Sequence, residues 1–295
     1  MAVNEILFVA IPSVALLLNL FLLLICISAK KNKLVYAFML LIISLSAWTG
    51  GSASMRALFY PGPTFWFHVS MTGIYATPFF LYHFIHHYTG QKGRFTLTLL
   101  GISWLIVIAM GLLDILVASP QVTGIDGNRI FSYNMSYWIV FPILLGVATL
   151  VLGGRLVYLG INRNGIPATA MRPLYVGAFV MFAGLLSSVL PGAGSFPVDP
   201  LACGINAGFL FYALYKRRLI TFKMVTGRAP LYLAAAVLTT ILLVILYPAI
   251  DIAYKSAFPN YLEQQTIVIS VLVSILTVLV YNLIRRLLQR IFAKG

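Results

Sequence analysis

Long apolar runs separated by short polar breaks organise this chain. Nine of them approach or exceed the ~20 residues that a helix needs to cross a hydrocarbon core of about 30 Å. They are 5–28, 34–54, 65–89, 95–118, 137–160, 173–191, 199–216, 230–253 and 266–287. The sixth and seventh are shorter and rich in Gly and Pro. The runs are continuous rather than alternating, so they predict helices and not the strands of a barrel. A helix satisfies its own backbone hydrogen bonds in lipid. The expected fold is therefore all-α, a polytopic membrane helical bundle of nine transmembrane helices. Composition agrees: 61% of residues are hydrophobic and 9% charged, where a soluble domain averages about 25% charged.

The polar breaks carry a strong charge asymmetry. Lys30, Lys31, Lys33, Lys92, Arg94, Arg155, Arg163, Arg172, Lys216, Arg217, Arg218, Lys223, Arg228, Arg285, Arg286, Arg290 and Lys294 fall in alternate loops. The other loops hold only three basic residues, Arg56, Arg129 and Lys255, together with Asp126 and Glu263. Glu5, Asp114, Asp199 and Asp251 lie at helix ends on this second side. The positive-inside rule then predicts the N-terminus outside and the C-terminus in the cytoplasm of a multi-pass plasma (inner) membrane protein. The rule also accounts for the net charge of +14. The basic residues form no stripe on a soluble surface, so no nucleic-acid partner is expected. Trp66, Tyr133, Tyr137 and Trp138 near one boundary, and Tyr88, Tyr158, Tyr212 and Tyr215 near the other, fit interfacial belts. Trp104, midway along the fourth run, is not explained by a belt.

Several chemistries are not written into the chain. There is no glycine-rich phosphate loop, no HExxH and no GxSxG. His83 and His87 are spaced to share a helix face, but no acid lies near them on the cytoplasmic side, so no metal is expected. No cofactor is expected either. Cys26 and Cys203 fall near opposite boundaries, which argues against a structural disulfide. Helix 1 lacks a basic leader and a small-residue cleavage site, so it reads as a membrane span rather than a cleavable signal peptide.

The segment from Trp48 to Arg94 carries an ordered set of motifs: Trp48, Pro61-Gly62-Pro63, Phe65-Trp66, Pro78-Phe79-Phe80-Leu81-Tyr82 and Tyr88-Thr89-Gly90. A second set is Asp199-Pro200 opening the seventh run and Phe211-Tyr212-Ala213-Leu214-Tyr215-Lys216-Arg217-Arg218-Leu219 closing it. These resemble the N-terminal seven-helix sensory region of bacterial membrane histidine kinases, over roughly residues 5–225. The two further helices give a layout similar to that of nine-helix autoinducer sensor kinases, in arrangement more than in residues. The resemblance implies two regions: 1–225 as a seven-helix sensory part, and 226–295 as two added helices with a basic cytoplasmic tail. It also implies membership of a two-component system and a cytoplasmic kinase or other output domain. The sequence carries neither a phosphoacceptor helix nor an ATP-binding domain, so this chain is not expected to be an enzyme.

Candidate ligand residues follow from their chemistry and depth. Asp114 lies nineteen residues beyond Phe95, about 28 Å along a helix at 1.5 Å per residue. That places an acid within a span near the outer boundary, where such groups skew functional. It reads either as a polar anchor of an outward-facing pocket or as an interfacial acid paired with water, Arg56 or Arg129. Asp199 reads either as a ligand contact or as a helix N-cap followed by Pro at N1. His68, one turn inside the third run beside Trp66, reads either as a pH-sensing group or as a satisfied interfacial histidine. Trp48, Trp66, Tyr75, Trp104 and Asn206 are candidates to line an apolar pocket with few polar groups, though core packing explains each singly. Gly146, Gly153, Gly154, Gly184, Gly204 and Gly208 permit close helix contact, and Gly204/Gly208 form a small-xxx-small pair with a homodimer implication.

The expected function is a membrane-embedded signal-sensing receptor that binds a small amphipathic or lipid-like ligand from the outer half. Arg285, Arg286, Arg290 and Lys294 follow the ninth run. They are expected to meet anionic lipids at the cytoplasmic face and to carry signal transmission along a helix extending from helix 9. The competing reading is a small-molecule or lipid transporter. A lipid-acting membrane enzyme using Asp114 and His68 ranks below both.

Overall fold

The computed structural model describes residues 3–28, 32–91, 95–125, 128–164, 166–187, 198–216, 235, 239, 275–284 and 286. Contacts divide the chain into two compact units, Met1–Ile220 and Thr221–Gly295. The first holds seven helices: α1 (Val3–Ser28), α2 (Lys33–Arg56), α3 (Pro63–Thr89), α4 (Phe95–Leu112), α5 (Val140–Asn164), α6 (Ala168–Ser187) and α7 (Val198–Lys216). Within the second, a helix covers Ile275–Ile284. All of the eighth run but Ala235 and Thr239, and Arg285 and Arg290 of the tail, lie outside the described residues; Arg286 is helical and exposed.

Among the described residues, four helical segments are long and apolar enough to cross a membrane: Phe8–Ile27, Lys33–Arg56, Phe95–Leu112 and Tyr137–Arg163. The faces of α4 and α5 turned away from the bundle carry Leu105, Leu144, Val151 and other large apolar side chains in the open. An apolar surface that extensive suits a lipid solvent, not water. The chain is a helical membrane protein.

Local signals fix most helix ends. The Asn32 side chain accepts a hydrogen bond from Val35 N at 2.8 Å and caps α2. Gly90, at φ 70°, closes α3 with its N–H directed to the carbonyls of His86 and His87. The fourth apolar run continues to residue 118, yet α4 stops at Leu112. Asp114 takes a left-handed φ of 57° there. Its N–H bonds the Gly111 carbonyl, and that of Ile115 bonds the Met110 carbonyl, a Schellman closure. Residues beyond it pair with a returning segment instead. Ala118 N bonds Asn134 O, and Ser136 N bonds Leu116 O, both at 3.0 Å. Between them runs a small antiparallel hairpin, β1 (Gln121–Ile125) with β2 (Asn128–Ser132), in register Gln121↔Ser132. The hydrophobic pattern did not announce this hairpin. It is the one departure from helix among the regular elements described.

Helix packing sets the position of the site. α2 and α3 form a tight antiparallel pair; α1 packs on α2 and α7, and α6 packs on α7. α4 and α5 lean on α3. α5 and α6, neighbours in sequence, touch only sparsely. The first unit thus has two helical walls, α3–α5 and α6–α7, joined through α1 and α2, with a cleft between them.

The α2–α3 pair is close because glycine allows it. Gly51 faces the backbone of Trp66 and Ser70, and Gly73 faces that of Ser44 and Trp48. Ser44 and Thr77 hydroxyls meet at 3.1 Å, and the Ser70 hydroxyl donates to the Trp48 carbonyl at 3.1 Å. Small residues and interhelical hydrogen bonds of this kind hold helices together where lipid provides no hydrophobic drive. Trp104, unexplained by a belt, is buried and donates from Nε1 to Thr149 of α5 at 3.2 Å, tying α4 to α5.

Candidate functional site

The cleft widens into a cavity of about 210 Å³ at the end of the bundle where α2 ends and α3 begins. Packed interiors contain few voids larger than a water molecule. An apolar cavity of about 150 Å³ already accepts a benzene-sized molecule. α3 contributes Phe67, Met71, Ile74, Tyr75 and Pro78. α5 contributes Pro142, Ile143, Gly146, Val147 and Leu150, and α6 contributes Phe182, Leu185 and Leu186. Met135, just beyond the β1–β2 hairpin, and Val117 close the same end. Pro78 has no N–H, so the Ile74 carbonyl of the cavity wall loses its helical donor.

A second cavity of about 230 Å³ continues towards the other end of the bundle, lined by Leu81, Tyr82, Ile85, Gly153, Leu174 and Phe179 among others. Pro78, Leu150 and Phe182 border both cavities. The two therefore form one apolar track between α3, α5 and α6, narrowed at those three side chains.

The polar groups gather at one end of this track. Arg56 of α2, Asp199 of α7, Tyr133 after β2, and Ser52 and Ser70 all line the first cavity. Arg56 is only 7% exposed. Its guanidinium donates to the Ser52 hydroxyl and lies 4.7 Å over the Phe8 ring, while Nε is buried without a partner. Asp199 is half-buried and accepts from Trp48 Nε1 at 3.1 Å. Arg56 and Asp199 are close enough to interact electrostatically. They do not form a direct ion pair; among the described residues the one carboxylate–cation contact within 4.0 Å is His68–Asp114. Tyr133 stacks on Phe67 with centroids 6.0 Å apart. Burial holds its phenol above the ordinary range, the Arg56 cation pulls the other way, and Asp199 adds to the rise.

No protein-family model, no curated protein and no solved structure matches this chain. The geometry of the cavity carries the reading of the site.

Of the residues singled out from sequence, Tyr75, Trp104 and Asp199 line this cavity, and buried Trp48 holds Asp199 from behind. Asp114, His68, Trp66 and Asn206 fall elsewhere. Asp114 is not inside a helix but two residues past the end of α4, in the exposed turn. Its Oδ1 meets His68 Nε2 at 3.2 Å and accepts from the Ser119 hydroxyl at 3.2 Å. Trp66 donates from Nε1 to the carbonyls of Phe59 and Tyr60 at 3.1 and 3.2 Å, pinning the α2–α3 turn. Asn206 is fully buried between α6 and α7, where its amide nitrogen meets Met181 Sδ at 3.2 Å. None of Asp114, His68, Trp66 and Asn206 lines the cavity. Asp199 lies inside the first turn of α7, which begins at Val198, so it is not the cap itself.

The sequence did not place Arg56 and Tyr133 at a site: Arg56 reads there as a possible partner of Asp114, and Tyr133 as an interfacial aromatic. A signal was present for Arg56: it is one of three basic residues on the side where the charge pattern excludes them. For Tyr133 the pattern gave a boundary but not the cavity, because its place depends on the hairpin. His83, His86 and His87 pack edge to face near the far end of α3, with His83–His87 centroids 4.6 Å apart. Among the described residues no cluster of three His, Cys, Asp or Glu is placed to hold a metal. Cys26 and Cys203 are both buried and unbridged. Gly204 approaches Ala15 of α1, whereas Gly208 has open space before it.

Proposed function

We propose that this chain is a membrane-embedded receptor module that binds a small amphipathic or lipid-like molecule in the cavity between α3, α5 and α6. The observation that carries the reading is the two-part character of the cavity: a long apolar track with Arg56, Asp199 and Tyr133 at one end. An amphiphile has the same division, a chain for the track and a head for the polar end. The sparse α5–α6 contact offers a lateral opening for such a molecule. The charge asymmetry supports nine spans in an inner membrane, with the polar end of the cavity on the outer side and the C-terminus in the cytoplasm. Binding between the two walls favours one packing over another, and such a population shift is how a ligand drives a receptor. Output then passes to a cytoplasmic kinase or other effector domain, with the Arg285, Arg286 and Arg290 cluster held at anionic lipid.

The test is photolabelling in nanodiscs with a dodecyl amphiphile carrying a diazirine in its chain. Label is expected on peptides containing Met71, Ile143 and Phe182, and Ile143→Trp, which fills the cavity, should abolish it. Label spread evenly over the lipid-facing surfaces of α4 and α5, and unchanged by Ile143→Trp, would refute the reading. The continuity of the two cavities also favours a second reading, passage of a lipid or neutral solute along the track. Flux of the labelled amphiphile across proteoliposomes that is lost in Phe182→Trp would select it.

A further inference from the structure

We infer that the cavity selects a zwitterionic head, with an anionic group set against Arg56 and a cationic group against Asp199; this rests on the amphiphile reading above. A chain leaving a bilayer for an apolar cavity exchanges one hydrocarbon environment for another, so the tail alone does not distinguish a ligand from bulk lipid. Selection must come from the head. Among the described residues, the head end holds one cation and one anion, both lining the cavity and not ion-paired to each other.

Arg56 is the stronger pointer. A guanidinium that is 7% exposed, with one hydroxyl acceptor, one aromatic face and an unpartnered Nε, is a buried cation with no anion paired to it among the described residues. Guanidinium geometry suits carboxylate and phosphate alike. Asp199 is held from one side by Trp48 and lines the cavity. Its charge repels a purely anionic head, and Arg56 repels a purely cationic one. A head with both signs satisfies both residues. Tyr133, also lining this end, supplies a phenol that can donate to the anionic group or accept from the cationic one.

The experiment uses the same photolabel in nanodiscs, competed by three unlabelled dodecyl probes: N-dodecyl-N,N-dimethylglycine, dodecanoate and dodecyltrimethylammonium. The zwitterion is expected to compete at concentrations at least tenfold below either singly charged probe. Arg56→Gln should remove its advantage over the cation, and Asp199→Asn its advantage over the anion. Repeating the series in phosphatidylethanolamine and in phosphatidylglycerol discs separates the sources. Suppressed labelling in the first identifies a bilayer lipid head as the natural occupant; equal labelling in both identifies a free amphiphile. Equal competition by all three probes overturns the head assignment while leaving the amphiphile cavity standing. Absence of cavity label with every probe overturns both. If Arg56→Gln does not fold, the wild-type probe series decides alone.

Discussion

Gly73→Ala should loosen the α2–α3 crossing and disturb the site through it. A methyl group on Gly73 would lie 2.7 Å from the Ser44 carbonyl oxygen and 2.8 Å from Trp48 Cα, and nearer still to Trp48 N. These are backbone atoms, so no side-chain rotation relieves the clash. Ordinary contact begins at 3.4 Å, so the helices must part by roughly 0.7 Å or more. A gap of that order forfeits about a quarter to a half of each dispersion contact on the interface. Overpacking of a tight core costs about 1–3 kcal/mol. The Ser44–Thr77 and Ser70–Trp48 hydrogen bonds, each 3.1 Å, cross the same interface and would stretch beyond bonding range. Interhelical bonds in membranes contribute about 0.6 kcal/mol each. The expected loss is therefore about 2–4 kcal/mol. The same displacement shifts Trp48, which holds Asp199, so photolabelling of the cavity should fall as well. Reversible unfolding in mixed detergent micelles measures the first effect. Gly208→Ala is the control, because nothing lies within 4 Å of its new methyl group; it should stay within about 0.5 kcal/mol of wild type. Wild-type stability for Gly73→Ala, or an equal loss for Gly208→Ala, would refute the close-approach argument.

Trp66→Phe removes the indole donor to Phe59 and Tyr60, and should cost about 1 kcal/mol in the same unfolding assay while leaving cavity labelling intact. Asp114→Asn should likewise leave labelling intact, and its coupling with His68→Ala should stay below about 1 kcal/mol and shrink with salt, because Asp114 is exposed and His68 partly so; a large loss of labelling would return Asp114 to the site. Tyr133 has a raised pKa in the folded state, so above about pH 10 the unfolded chain loses its proton first and stability falls as pH rises. Tyr133→Phe should flatten that part of the pH–stability curve, and an unchanged slope would mean that the phenol is not buried. Cysteine introduced at Ser119 should react with an impermeant maleimide from outside and cysteine at Asn164 from inside; both native cysteines are buried, and reversed labelling would overturn the orientation.

Helix positions were legible in the sequence because membrane spans are recorded as runs of apolar residues, and a run needs no knowledge of its neighbours. The start of α2 at Lys33, the end of α3 at Thr89 and the start of α4 at Phe95 all fall within two residues of boundaries read from the runs. The run through Leu116 and Val117 misled at the end of α4. Those residues are apolar because they are buried in tertiary structure, not because they are helical, and periodicity does not separate the two.

The site was legible only in fragments. Trp48, Tyr75, Trp104 and Asp199 stood out by residue type, but their meeting did not, since Trp48 and Asp199 are 151 residues apart. Arg56 and Tyr133 reach the cavity through a glycine-tight helix crossing and a hairpin that folds back over the bundle. Sequence alone determined a membrane medium, a charge asymmetry and a set of helices, each a local or summed property of the chain. The tertiary structure alone decided that α5 and α6 stand apart, that a cavity lies between them, and which charges face it. Those are relations between distant residues, and one chain read singly records no distances.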